Sequence, residues 1–418
     1  MRSGYMVAGI DVHKKMLAVV IGRVGATGDG LSFEHRRFTT TASGLQELKL
    51  WLSECNTDEV VMESTAQYWR PVWLTLEGTF KLHLAQARSN AGPAGRKNDF
   101  RDAERAVRRL LSGDLRLSYV PDAEQRLWRL LSRTKRQLGC DRVRLHSQIE
   151  SLLEEAQIKL SSVITDLLGV SGRRILRALV NGERDPEQLA ALGHERLHAS
   201  KQQLQDALTG SRHRLQGIVL GQYLDRVETI ERQIAELDAE LMAVLEPHQD
   251  VIRRLCAVPG IGISAAQQWI AEIGPTAAVF PSGAQLSSWV GVCPGREESA
   301  GVSASDRSPK GNRVLRGLLT QVAHAAIAAK GSYFQERYRR MVSRLGPGKA
   351  IWAIAHRILR LVWKILHQGV EYVEHGTRSG DPRATLIRGQ RMLAALRRMG
   401  YNLQVLASPN TQNPAPTV

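Results

Sequence analysis

The chain has 418 residues, an apolar share of 43%, few aromatics (5%) and a formal net charge of +16. That length suits two or three domains with real cores, and the cationic excess favours polyanionic partners, most commonly nucleic acid, a ribosome-bound protein or an anionic-membrane binder being alike on this count alone. Four cysteines without a CxxC pair argue against a disulfide framework or a structural zinc site, and no run approaches the roughly 20 apolar residues of a membrane span, so a soluble cytoplasmic protein with no membrane partner is expected.

The first part, residues 1–121, alternates strand and helix signals. "YMVAGIDV" and "MLAVVIGRV" are apolar, β-branched runs joined by a polar turn, as in a hairpin. "SGLQELKLWLSEC" has helical spacing, "DEVVMEST" reads as a buried strand ending at Glu63, "QYWRPVWLTLEG" as a helix and "KLHLAQA" as another strand. "NDFRDAERAVRRLLSG" reads as a helix closed by Gly113. A hairpin followed by β–α units predicts a mixed α/β sheet.

Residues 122–250 change to long helices. Val227, Ile230, Ile234, Leu237, Leu241 and Val244 form a coiled-coil seam, and Leu145, Ile149, Leu152 and Ala156 form a second. The two arms fit either an antiparallel hairpin or a contact between subunits. Between them, Asp185 and Pro186 mark a helix start. Residues 251–404 form a third, mainly helical domain. Its "LCAVPGIGISAAQQWIAEIG" reads as a helix-hairpin-helix, with Gly260 and Gly262 offering backbone N–H groups to a phosphate; a plain packing unit is the alternative. Basic residues then far outnumber acidic ones from Arg313 to Arg398, and residues 405–418 read as a disordered tail.

The acids of the first domain stand out by position. Asp11 ends an apolar strand, Glu63 ends another, and Asp99 and Asp102 share one face of a helix start. Each has a plain role by itself: a turn residue, a partner for Arg70, an N-cap, a first-turn acid. Together, four hard oxygen donors suit two Mg²⁺ ions, or Mn²⁺ in their place, for phosphodiester cleavage. His13 and Lys97 flank the set, where they fit either phosphate positioning or plain solvated surface, and Lys97 and Arg101 are candidates for the cationic grip on the strand.

"GIDVHK", "VVMEST", "RKNDFRDAERA", "GVSGRRILRALVNGERDPEQLA", "VPGIGISAA" and "SSWVGVCPGREESAG…KGNRVLR" resemble, in this order, the one-ten family of insertion-sequence transposases. The resemblance implies a ribonuclease H-like (RuvC-like) domain of DEDD type, a central coiled coil and a C-terminal transposase domain. It places the metal-binding tetrad on Asp11, Glu63, Asp99 and Asp102, and a nucleophilic serine on Ser299 of "ESAG", with Ser303 and Ser305 as the neighbouring alternatives. It further implies a nucleoid-associated recombinase acting on element ends and target DNA, guided by a structured bridge RNA, and a homo-oligomer, dimer or tetramer, with a composite site across protomers. Asn98 stands where the family has threonine; it can still hydrogen-bond, and Asp99 is kept, so activity is expected to survive. After the serine, Arg307, Lys310, Arg313 and Arg316 are candidate phosphate contacts, the last two on one helix face. Two other readings compete: a Mg²⁺-dependent nuclease of branched DNA in which Ser299 is inert, and a non-catalytic nucleic-acid-binding scaffold.

Overall fold

The computed structural model describes residues 4–374 apart from 26–29, 64–65, 91–97, 195–196, 211–212, 294–296, 300–301, 306–307 and 309. The chain divides into two compact units, Met1–Asp122 and Ala123–Val418.

In the first unit the elements run β1 (Met6–Val12), β2 (Met16–Val24), β3 (Leu31–Thr39), α1 (Ala42–Glu54), β4 (Glu59–Glu63), α2 (Trp69–Leu76), β5 (Lys81–Ala85), a 3₁₀ turn (Ala87–Ser89) and α3 (Asp99–Ser112). The sheet order is β3-β2-β1-β4-β5. β1, β2 and β3 pair antiparallel, whereas β4 runs parallel to β1 and β5 parallel to β4. An antiparallel meander extended by parallel strands is the ribonuclease H-like arrangement, as the sequence led one to expect.

β3 is the strand that the sequence did not announce. It lies at the sheet edge and most of its residues are exposed, so "LSFEHRRFT" carries no apolar alternation.

The sheet is covered on both faces. Met6, Ala8, Ile10 and Val12 of β1 pack with Leu48 and Leu52 of α1 and Val72 and Leu76 of α2. The alternate residues face the other way, and Val7 joins Val61, Ala103, Ala106 and Val107 beneath α3. Gly9 allows this close approach: a Cβ there would lie 2.4 Å from the carbonyl oxygen of Ala103 and 2.7 Å from Val107 Cγ2. Any side chain at position 9 would have to lift α3, and with it the two acids at its start, off the sheet. Gly113, in the left-handed conformation (φ 77°), ends the helix.

The second unit contains α4 (Ala123–Glu155), α5 (Leu160–Val163), α6 (Val170–Val180), α7 (Pro186–Ala191), α8 (Lys201–Leu208), α9 (Arg214–Val244), a 3₁₀ turn (Glu246–His248), α10 (Gln249–Cys256), α11 (Ile263–Ile273), α12 (Gly283–Val290), a hairpin of β6 (Glu297–Ser299) and β7 (Val302–Ser305), α13 (Arg313–Ala328), α14 (Tyr333–Leu345) and α15 (Pro347–Gln368). α4 and α9 pack against each other within the chain. Lys135 pairs with Asp238 and Arg142 with Glu231, so the helices run antiparallel. Leu145, Ile149 and Leu153 of α4 meet Leu220, Leu224, Val227 and Ile230 of α9 in one core. Leu153, rather than the anticipated Leu152, takes the fully buried seam position; Leu152 packs at its margin. Asp185 caps α7 by accepting from the Glu187 N–H, with Pro186 in the first turn.

Candidate metal centre

The register of β1 and β4 aligns Ile10 with Met62, so the next residues, Asp11 and Glu63, end neighbouring parallel strands at their carboxyl ends. That edge is where open α/β sheets place their ligands. Asp11 continues the β1 face of Val7 and Gly9, which is the face under α3, and its side chain is only 13% exposed. Asn98 caps α3 by accepting from the N–H groups of Phe100 (3.1 Å) and Arg101 (3.4 Å). Asn98 rather than Asp99 therefore supplies the cap, and the Asp99 carboxylate is left to meet His13.

The three side chains that converge most closely are Asp11, His13 and Asp99. His13 Nε2 lies 3.2 Å from Asp11 Oδ2 and 3.3 Å from Asp99 Oδ1. One donor atom from each residue falls within 4.8 Å of the others. The hairpin turn holds His13, whose N–H donates to the Met16 carbonyl at 3.0 Å. Glu63 and Asp102 lie outside this donor set but close to it. Burial, followed by the nearby carboxylates of Asp99, Glu63 and Asp102, pushes the Asp11 carboxyl up to about 6 against the opposing pull of His13. Carboxylates that repel one another at the rim of a core suit a hard divalent cation.

Asn90 ties the other two acids into the site, and nothing in the sequence marked it. It is 3% exposed and follows the first 3₁₀ turn. Its Nδ2 donates both to Glu63 Oε2 (3.1 Å) and to the Asp102 carbonyl (3.2 Å), while Arg105 Nη1 donates to the Asn90 carbonyl (3.1 Å) and to Asp102 Oδ1 (2.6 Å). Asp102 is thus partly a salt-bridge partner of the arginine one turn along. The Asn90 side-chain oxygen is buried without a hydrogen-bond partner among the described residues. A buried, unsatisfied hard oxygen beside two carboxylates fits a cation-holding site. Asn90→Ala is expected to weaken Mn²⁺ or Mg²⁺ binding about 10- to 100-fold with the fold retained. Calorimetric titration of the ion checks this, and an unchanged affinity would restrict Asn90 to packing.

Position on the strand separates these acids from an ordinary ion pair. Glu59, at the opposite end of β4, is paired with Lys81 and with His83 at 2.7 Å, and these partners hold its carboxyl below the usual range despite burial.

In the second unit, Ser299 lies on β6 opposite Val302, and Ser303 and Ser305 lie on β7 opposite Glu298 and Glu297. Lys97 and Arg307 fall outside the described residues. Arg101, Lys310 and Arg313 are exposed, as phosphate contacts must be. Arg316 is half-buried: its Nη1 donates to the Gly291 carbonyl and its guanidinium lies 4.8 Å over the Trp352 ring. Gly260 (φ 89°) has a packing reason, since a Cβ there would lie 2.6 Å from the Val322 carbonyl of α13, whereas Gly262 faces open space.

The segment bearing the serines leaves and rejoins the helices at one point. The Asn312 N–H donates to the Trp289 carbonyl (3.4 Å), and a Cβ on Gly311 would lie 2.1 Å from the Val290 carbonyl. Asn312 Nδ2 also donates to Glu272 Oε2 at 2.9 Å. Glu272, fully buried on α11, accepts both arms of Arg133 (2.7 and 2.9 Å), a second group that sequence reasoning missed.

Residues 8–158 match a family model of transposases of the DEDD, IS110 type, and residues 252–339 match one described as "Transposase IS116/IS110/IS902 family". A Sinorhizobium fredii protein named as a transposase, y4pF/y4sB, is 26% identical over 145 residues, which are 34% of this chain and 37% of that protein. A second from that organism, y4rJ, is 28% identical over 301 residues, 66% of this chain and 67% of the relative. The 43.6 kDa protein of insertion element IS110 from Streptomyces coelicolor is 24% identical over 160 residues, 37% of this chain and 38% of its own length. The matches to the first and third therefore span little more than a third of those relatives.

Proposed function

This chain belongs to the IS116/IS110/IS902 family of transposases, and from that premise we propose that it is the DNA recombinase of an insertion sequence, cutting and exchanging element ends with target DNA. The observation that carries the reading is the convergence of Asp11, His13 and Asp99, with Glu63 and Asp102 beside them, at the carboxyl edge of the sheet. Asp11, Glu63, Asp99 and Asp102 would hold Mg²⁺, or Mn²⁺. Bound there, such ions supply charge neutralisation at a phosphodiester and activation of an attacking oxygen.

The chain's own residues prepare the place. β1, β4 and α3 gather the carboxylates, His13 bridges two of them, and Asn90 orients Glu63. Ser299 is the proposed nucleophile, with Ser303 and Ser305 as alternatives. Its Oγ would bond to phosphorus as the bond to the departing sugar oxygen breaks, so a phosphoserine ester would retain the energy needed for rejoining. We further propose that a bridge RNA chooses the DNA by base pairing while the protein reads backbone and charge, and that the working form is a homo-oligomer. The net charge of +16 supports the polyanionic partners.

The test is a cleavage assay with element ends, the element's flanking RNA and Mg²⁺, resolved with and without protease digestion, for wild type and Ser299→Ala. A protease-sensitive DNA adduct that the variant loses is the expected result. Undiminished cleavage without an adduct would leave a metal-dependent nuclease in place of a serine recombinase.

A further inference from the structure

The cationic stretch after Arg313 is not absorbed by the metal centre, and the structure shows what part of it encloses. Between α14, α15 and residues 371–373 lies an open cavity of about 670 Å³. Phe334, 2% exposed, closes its floor, with Met341, Ala353 and Leu361 around it. Tyr333 stands at the edge, 36% exposed, and Tyr372 stacks on Phe334 at 12° with 6.4 Å between centroids. Arg357, Arg360 and Lys364 line the same cavity from one face of α15, spaced by about a helical turn, and all three are exposed. None of the three pairs with a carboxylate among the described residues.

We infer that this cavity is a single-strand nucleic-acid subsite, in which an unpaired base lies against the Tyr333 and Tyr372 rings while Arg357, Arg360 and Lys364 hold the adjoining phosphates. The volume falls in the range of small-ligand pockets. An aromatic floor beside a row of cations is the combination that holds single strands, because every base has a face to stack and every nucleotide a charge to pair. A duplex offers the charges but keeps its bases stacked inside. His356, which also lines the cavity, is pushed down by burial and then by Arg360 and Arg357, which disfavours its charged form. Glu371 is the one acid of the lining. Charge argues against the chain's own residues 375–404 as occupant, since arginines far outnumber acids there and would meet like charge.

The test uses the full chain and fluorescence anisotropy with labelled oligouridylate, labelled oligothymidylate of equal length, and a DNA duplex, over a salt series. Arg360→Ala/Lys364→Ala is expected to weaken single-strand binding and to reduce the slope of log K against log salt by about 1.4, roughly 0.7 per lost phosphate contact. Tyr333→Leu keeps apolar bulk but removes the ring. It is expected to cost about 5- to 100-fold in single-strand affinity with the salt slope unchanged, and nothing on duplex. Loss confined to the RNA oligomer assigns the strand as RNA, loss confined to the DNA oligomer as DNA, and either supports the subsite. Photo-cross-linking of 4-thiouracil or 4-thiothymine oligomers should map to peptides bearing Tyr333 or Tyr372. Unchanged single-strand affinity in both variants, equal losses on duplex for Tyr333→Leu, or cross-links only elsewhere would overturn it. These readouts need no strand cleavage, so they stand or fall separately from the recombinase reading.

Discussion

Asp11→Asn is expected to lower metal-dependent DNA cleavage by about a thousandfold or more, while making the metal-free protein more stable at neutral pH. The loss of rate follows if the ion's several kcal/mol of charge stabilisation depends on this ligand, each ~1.4 kcal/mol being a factor of ten. The gain in stability follows from the carboxyl's surroundings. Burial foremost, and then the charges of Asp99, Glu63 and Asp102, raise the Asp11 carboxyl from 3.8 to about 6 against the pull of His13. A raised acid favours the fold while it is protonated. That contribution is complete below 3.8, is lost as pH rises through about 6, and is absent above it. The metal-free wild type should therefore lose on the order of 3 kcal/mol between pH 4 and 7 from this group, and the asparagine variant should not. Added Mg²⁺ or Mn²⁺ should raise the wild-type unfolding temperature more at pH 7.5 than at pH 5, and the variant's hardly at all. Thermal unfolding over that pH range, with and without the ion, checks both halves. A wild type indifferent to the ion at every pH would remove the acids from any metal role.

Glu272→Ala should destabilise the second unit by roughly 1.5–3 kcal/mol, the usual cost of losing hydrogen bonds to a charged acceptor, because the Arg133 side chain it leaves behind is partly exposed and can hydrate. Glu272 is 0% exposed and receives Arg133 through two hydrogen bonds, with Arg129 3.8 Å away and Asn312 donating to the same carboxylate. Arg133 foremost holds its carboxyl below the ordinary range in spite of burial. A depressed acid contributes stability that is fully present above the unfolded value and is lost as pH falls through the folded one, so the wild type should be acid-labile there. Glu272→Gln keeps the shape and should flatten that pH dependence. Urea unfolding at pH 4 to 8 measures both variants. An alanine variant with an unshifted midpoint would mean that water replaces the carboxylate without loss.

Legibility followed the range of the interactions. Asp11 and Glu63 could be read because an acid that ends an apolar strand breaks a pattern within a few residues. The seam of α9 was legible for the same reason, its period being local. β3 was not, because an edge strand with one buried residue carries its identity in hydrogen bonds to β2 and not in side chains. Asn90 was hidden because a lone amide in a loop has meaning only once β4 and α3 stand on either side of it. Glu272 was hidden by distance, its arginine lying 139 residues away. His13 could be named from its place beside Asp11, but its bridging contact to Asp99 required the pairing of strand and helix.

The junction at Trp289–Gly291 and Gly311–Asn312 has a consequence for the chain that runs between them. Because the polypeptide departs and returns at one spot, the excursion is closed at its base by the Asn312–Trp289 hydrogen bond and the close packing of Gly311 on Val290. Lengthening a tethered excursion raises its closure entropy only logarithmically. Closure therefore sets only a weak limit on the length of the serine-bearing excursion, while the helical body that carries it stays under the separate constraint of its own packing.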